Sequence, residues 1–267
     1  MEEKKEVNLG IADVIKEVKT YETVSQADKT AALVIRAVHA ALSPLETWVM
    51  QKEYNIEKTK VILADKLKYV PLEDIITPPS YIGIPALQAI SYCMDNDELR
   101  EMYAELLKTA MNSQTTENVH PTYVEIIKQM SPYDAIIFKK IVEVLVQPCI
   151  GISYRNKITS ASYPIQDIVA FADLEKYPLV PTQIALENLE RLRLIEINKK
   201  SKYADTTAYT NIKDGMKETI KQFIEDNADK LAIDDYEVVY NEHLIMIRGF
   251  GQFFARACLG ADFSNLE

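Results

Sequence analysis

Apolar positions along most of the chain return every three or four residues, and that period predicts a mainly helical protein. Ile11, Val14, Ile15 and Val18 mark a first helix over Leu9–Val24. Asp28 is placed to cap a second one ending at Leu42, with Leu33, Val34, Ala37, Val38 and Ala41 on its apolar side. Pro44 then permits a fresh start, with Trp48 one turn in. The next helix, Asn55–Lys68, carries Ile56, Val61, Ile62, Ala64 and Leu67. Pro71 and Pro78-Pro79 interrupt the pattern, and Pro85 is set to open a helix over Ala86–Met94. The broadest stripe follows the cap Asp95-Asn96-Asp97, where Leu99, Met102, Tyr103, Leu106, Leu107 and Ala110 share one face. Thr122 with Glu125 reads as a capping box for a helix to Met130, and Ser131-Pro132-Tyr133-Asp134 as the start of a helix to about Val146.

The pattern changes near Gln147. Cys149–Tyr154 alternates as a strand does. Pro164–Glu175 reads as a helix, Tyr177-Pro178 as a turn, Pro181–Arg193 as another helix and Leu194–Ile197 as a short strand. Helix, strand, helix, turn, helix, strand is the order of a winged helix. A charged helix is expected over Ile212–Leu231, then strands at Tyr236–Tyr240 and Leu244–Ile247, and a last apolar helix after Gly249-Phe250-Gly251. The expected fold is therefore mainly α: a helical domain over 1–130, then a winged-helix-like α+β domain over 131–267 with a helical insertion near 211–231.

Composition narrows the function. Seven glycines in 267 residues are too few for the tight turns of an all-β protein. The net charge of −10 is opposite in sign to that of a dedicated nucleic-acid binder. Cys93, Cys149 and Cys258 are scattered and odd in number, which predicts buried thiols in a reducing cytosol rather than disulfides or a zinc site. The start, Met1-Glu2-Glu3-Lys4-Lys5-Glu6, lacks a signal pattern. The most apolar run, Ala31–Leu42, is broken by Arg36 and His39 and is too short to span a bilayer. A cytoplasmic protein without a membrane span is expected.

Two groups of residues invite a chemical reading. Glu98, Glu101 and Glu105 line one helix flank, as a carboxylate pair for metal or acid–base work would, but also as a solvated face does. His120-Pro121 offers either a reactive imidazole or a structural one fixing the start of a helix. With no partner motif, and no glycine-rich phosphate loop, neither catalytic nor metal residues are assigned, and no cofactor is expected. Glu98, Arg100, Glu101 and His120 remain a candidate interaction surface. The one basic cluster is Arg191, Arg193, Lys199, Lys200 and Lys202, at the end of the expected recognition helix and in its wing. Thr182, Gln183 and Asn188 are the base-facing candidates there, while Glu187 and Glu190 dilute the field. Winged helices also serve as protein-binding modules, so nucleic acid and protein both stand as partners.

Several phrases together resemble the abortive-infection alpha family. They are Pro78-Pro79 leading to Ile84-Pro85-Ala86-Leu87, then Asp97-Glu98-Leu99-Arg100-Glu101-Met102-Tyr103-Ala104-Glu105-Leu106-Leu107, then His120-Pro121-Thr122-Tyr123-Val124-Glu125-Ile126-Ile127. Ser131-Pro132-Tyr133-Asp134-Ala135 and the tail Gly251-Gln252-Phe253-Phe254-Ala255-Arg256-Ala257-Cys258 complete the resemblance. Arg248 departs from the small hydroxyl residue expected there, and the charged stretch around Ile212–Leu231 is long. The resemblance implies bacterial defence against phage, and it brings no catalytic residue to these positions. The expected agent is a non-enzymatic effector or sensor that binds a host or phage protein, with self-association possible. The alternative is a nucleic-acid-binding regulator.

Overall fold

The computed structural model describes residues 26–46, 53–92, 96–226 and 235–263. The expected helix over Leu9–Val24, Trp48 and Cys93 lie outside them. The described residues form two compact units, one drawn from Met1–Pro132 and Phe253–Glu267, the other from Tyr133–Gln252. The fold is mainly α with one antiparallel sheet. Among the described residues, no helix is long and apolar enough to cross a membrane.

The first unit is helical. Helix α1 (Gln26–Glu46) runs beyond Leu42, its expected end, and through Pro44, where a fresh start was expected, and it buries Val34, Ala37, Val38, Ala41 and Leu42. Helix α2 (Glu53–Leu67) buries Leu63, Ala64 and Leu67. Helix α3 (Ser80–Tyr92) starts before Pro85 rather than after it, so the proline lies inside the helix and withholds one amide from its ladder. Helix α4 (Asp97–Met111) is the stripe legible in the sequence, and all six of its predicted apolar residues are buried. Asn96 caps it, its side chain accepting the Leu99 N–H at 3.1 Å. The loop before α3 is sewn to the end of α4: Ile76 N–H donates to the Met111 carbonyl and Ser113 N–H to that of Asp74, both at 2.8 Å. Helix α5 (Pro121–Lys128) is capped by His120, not by the expected Thr122 box, because Pro121 occupies its first position.

The second unit opens with helix α6 (Pro132–Val142), all but its first residue, which leads into strand β1 (Val146–Asn156). Strand β2 (Ser162–Val169) follows where a helix over Pro164–Glu175 was expected. The register with β1 shifts there, pairing Ile150 with Val169 but Ile152 with Gln166. This bulge buries both Ile168 and Val169. The resulting spacing of Ile165, Ile168 and Val169 imitates a helix, and the helix–strand–helix order read from the sequence lacks its second helix. Helix α7 (Leu179–Arg191) and strand β3 (Glu196–Asn198) come next. Helices α8 (Thr210–Gly215) and α9 (Lys217–Asp226) replace the single long helix expected from Ile212. Strand β4 (Tyr236–Met246) is continuous, where two strands were expected. The sheet order is β2-β1-β4-β3. One sheet face, with Ile150, Ile152, Val169 and Leu244, packs on Tyr209, Ile212, Met216 and Ile220 to make the core of this unit. The closing helix α10 (Phe250–Leu259) belongs to the first unit from Phe253 onward.

Candidate functional site

In the first unit the acidic flank of α4 divides by depth. Glu105 is only 6% exposed, which corrects the solvated face expected for it. Lys66 of α2 reaches one of its carboxylate oxygens at 3.0 Å and Lys108 the other at 2.8 Å. Lys66 also reaches Glu101 at 3.0 Å. Burial alone would raise the Glu105 pKa, but the two ammonium groups more than reverse this and hold it below the usual carboxylate value. Burial likewise acts to lower the Lys66 pKa, and its hydrogen bonds to Glu105 and Glu101 leave it raised. A carboxylate held ionised between two lysines is a poor proton donor, and its geometry is that of a joint.

The returning tail completes that joint. Gly260 sits at φ +66°, which favours glycine, and a Cβ there would lie 2.9 Å from a Glu105 carboxylate oxygen, so a side chain would be strained and would displace that carboxylate. Thr109 Oγ1 donates to the Ala257 carbonyl at 3.1 Å. Tyr123 of α5 meets Phe254 edge to face, centroids 5.4 Å apart. Cys258 is buried in this packing, and burial, with Glu105 nearby, pushes its thiol well above the ordinary value.

The other candidates of this unit are not drawn into one site. Arg100 is 2% exposed and pairs with Asp97, so it lies beneath the surface assigned to it. Glu98 is half-buried, Glu101 turns to Lys66, and His120 is exposed. His120 Nδ1 accepts the Thr122 N–H at 3.2 Å, and its ring leans on Tyr123, the structural role weighed for it.

In the second unit the predicted base-facing side chains of α7 turn to neighbours. Thr182 is buried, with its hydroxyl 2.9 Å from that of Tyr133. Gln183 bonds Gln166 and donates to Glu187 at 2.8 Å. Asn188 donates to Asp134 at 2.9 Å and accepts from Arg191 at 2.7 Å. Lys202 pairs with Glu242 at 2.9 Å, and Lys213 reaches the same carboxylate at 2.6 Å. Lys213, opposed by burial and helped by Lys202, holds the Glu242 pKa below its usual value. Arg193, Lys199 and Lys200 stay exposed.

Arg193 has an unusual backbone, with φ +62°. It follows Leu192, the cap of α7. Arg193 N–H donates to the Glu190 carbonyl at 2.9 Å and Leu194 N–H to that of Leu189 at 3.0 Å. These two bonds are the Schellman helix ending, whose left-handed position glycine fills best. Gly251 packs against this ending so closely that a Cβ would overlap the Leu194 carbonyl.

One pairing escaped the sequence reading. Cys149 and His243 stand directly opposite each other on β1 and β4, on the sheet face away from the Tyr209 core. Register between strands so far apart in the chain carries no signal in sequence spacing. Burial pushes the Cys149 thiol up to about 12 despite Lys199, and burial with Lys199 lowers the His243 pKa. Near neutral pH the two are a thiol and a neutral imidazole, without the thiolate a nucleophile needs.

The two units are a helical one and one built on a small antiparallel sheet, each with a carboxylate held between two lysines, Glu105 in the first and Glu242 in the second. The family model described as abortive infection alpha matches residues 51–258. The chain belongs to the abortive infection alpha family. No curated protein and no solved structure matches it.

Proposed function

We propose that this chain is a cytoplasmic phage-defence protein of the abortive-infection type, acting as a non-enzymatic effector or sensor by binding a host or phage protein. Family membership over residues 51–258 carries this reading. The state of the reactive side chains supports it. Glu105 is locked between Lys66 and Lys108, His120 caps a helix, and the Cys149 thiol is held protonated. Glu98, Glu101 and His120 are the members of the first candidate surface that retain exposure for a partner.

The test is a plaque assay in cells carrying the gene, at low and high phage dose, with culture survival followed. Protection at low dose with culture collapse at high dose is the expected result. Nuclease, nucleotidase or protease activity in the pure protein, abolished by one point substitution, would defeat the non-enzymatic reading. The second reading is a nucleic-acid-binding regulator, in which α7 acts as the recognition helix of a winged-helix-like module. The five cations between Arg191 and Lys202 favour it, and the inward bonds of Thr182 and Asn188 weigh against it.

A further inference from the structure

Residues 191–202 hold five cations and one carboxylate, in a chain whose net charge is −10. Arg191 is engaged by Asn188 and Lys202 by Glu242. The other three, Arg193, Lys199 and Lys200, are exposed, and among the described residues no carboxylate pairs with them. Such local imbalance in an acidic protein is a field that a complementary partner can use.

Both cationic positions are set by firm backbone. Arg193 is fixed by the two hydrogen bonds of the Schellman ending, in a conformation that disfavours any side chain. An arginine kept where glycine would be more stable points to a role for the charge. Lys199 and Lys200 ride on a turn held by Asn198, whose side-chain oxygen accepts the N–H groups of Lys200 and Ser201, each at 2.9 Å. Between them lies β3, where the Ile197 N–H already donates to Glu190 at 2.9 Å. A strand added at this edge would find that donor already taken, which leaves side-chain charge as the means of contact.

We propose that Arg193, Lys199 and Lys200 dock an acidic segment of a protein partner. The proposal rests on the protein-binding reading above and gives that reading a location and a chemistry. Discrete carboxylates suit it better than a continuous phosphate backbone. Glu187, Glu190 and Glu196 stand in the same stretch of chain and repel any anion close to them, which a short segment with spaced carboxylates can avoid and a continuous phosphate backbone cannot. The residues that could read bases are occupied within the fold.

Fluorescence anisotropy with a labelled glutamate-rich peptide, and in parallel with a labelled DNA duplex, tests this at about 20 mM and about 200 mM salt. The expected result is peptide binding that weakens with salt and falls roughly tenfold in Lys199→Glu/Lys200→Glu. Arg193→Gly should fold at least as well as wild type and bind the peptide more weakly. Lys221→Glu, which reverses an exposed cation on α9, should leave binding unchanged. Tighter binding of the duplex than of the peptide would overturn the proposal, as would no peptide binding at low salt or equal weakening by Lys221→Glu. The plaque assay separates this proposal from the broader one. A Lys199→Glu/Lys200→Glu protein that no longer binds peptide yet still protects cells overturns the docking site and leaves protein binding elsewhere intact.

Discussion

Arg193 offers a direct test of the backbone reasoning, because Arg193→Gly should make the protein more stable. A residue with a Cβ held in the left-handed region loses about 1–2 kcal/mol relative to its preferred conformations. Glycine removes that strain but brings a more flexible unfolded chain, at about 0.5–1 kcal/mol. The net gain is about 0.5–1 kcal/mol. The Arg193 side chain is exposed and makes no ion pair among the described residues, so little is lost with it. Arg193→Ala is the control, since alanine keeps the strain and loses the charge, and it should sit close to wild type. Urea unfolding of the three proteins, followed by circular dichroism, reads the difference as a shift in midpoint at constant slope. At a chain of this size, the gain corresponds to a rise in melting temperature of about 1–4 °C. Equal stability of the glycine and alanine variants would refute the argument, because backbone strain would then contribute nothing at this position.

Glu105→Gln should cost about 1–3 kcal/mol at neutral pH, less than the about 3–5 kcal/mol for breaking a fully buried pair, since Lys66 and Lys108 keep some access to water. The folded carboxyl lies below its ordinary value of 4.5. Its contribution is therefore present above that value and lost as pH falls through the folded pKa, so wild type should lose more stability than the variant in this acid window. Denaturant titrations across pH check this, and parallel profiles for the two proteins would contradict it. Tyr123→Leu and Phe254→Leu should show a coupling of about 0.5–1.5 kcal/mol in a double-mutant cycle. Additive losses would mean that the edge-to-face contact does not hold α5 to the tail.

The first unit was the more legible in sequence, because most of its interactions are local. A stripe at helical spacing states which face of α4 is buried, and Asn96 marks its start. What stayed hidden depends on distant partners. Glu105 reads as surface by its spacing, and only Lys66 and the glycine at 260 make it interior. In the second unit the strands mislead at specific residues. The bulge turns Ile168 and Val169 both inward and erases the alternation of β2. Glu242 reads as an interruption of β4, yet its charge is met by Lys202 and Lys213 and the strand continues through it. The basic cluster was visible as composition. Which of its members remain unspent required knowing that Asn188 and Glu242 claim two of them.

The return of the tail to the first unit also has a temporal side. Helices α1–α5 leave the ribosome well before Phe254, Ala257 and Gly260, and more than a hundred residues separate Tyr123 from its ring partner. The nascent first unit therefore waits, with Tyr123, Thr109 and Glu105 lacking their final neighbours, while the whole of the second unit is synthesised. A chain interrupted anywhere between 133 and 252 holds its helices without the segment that closes them, so this architecture couples the integrity of one module to the completed translation of the other.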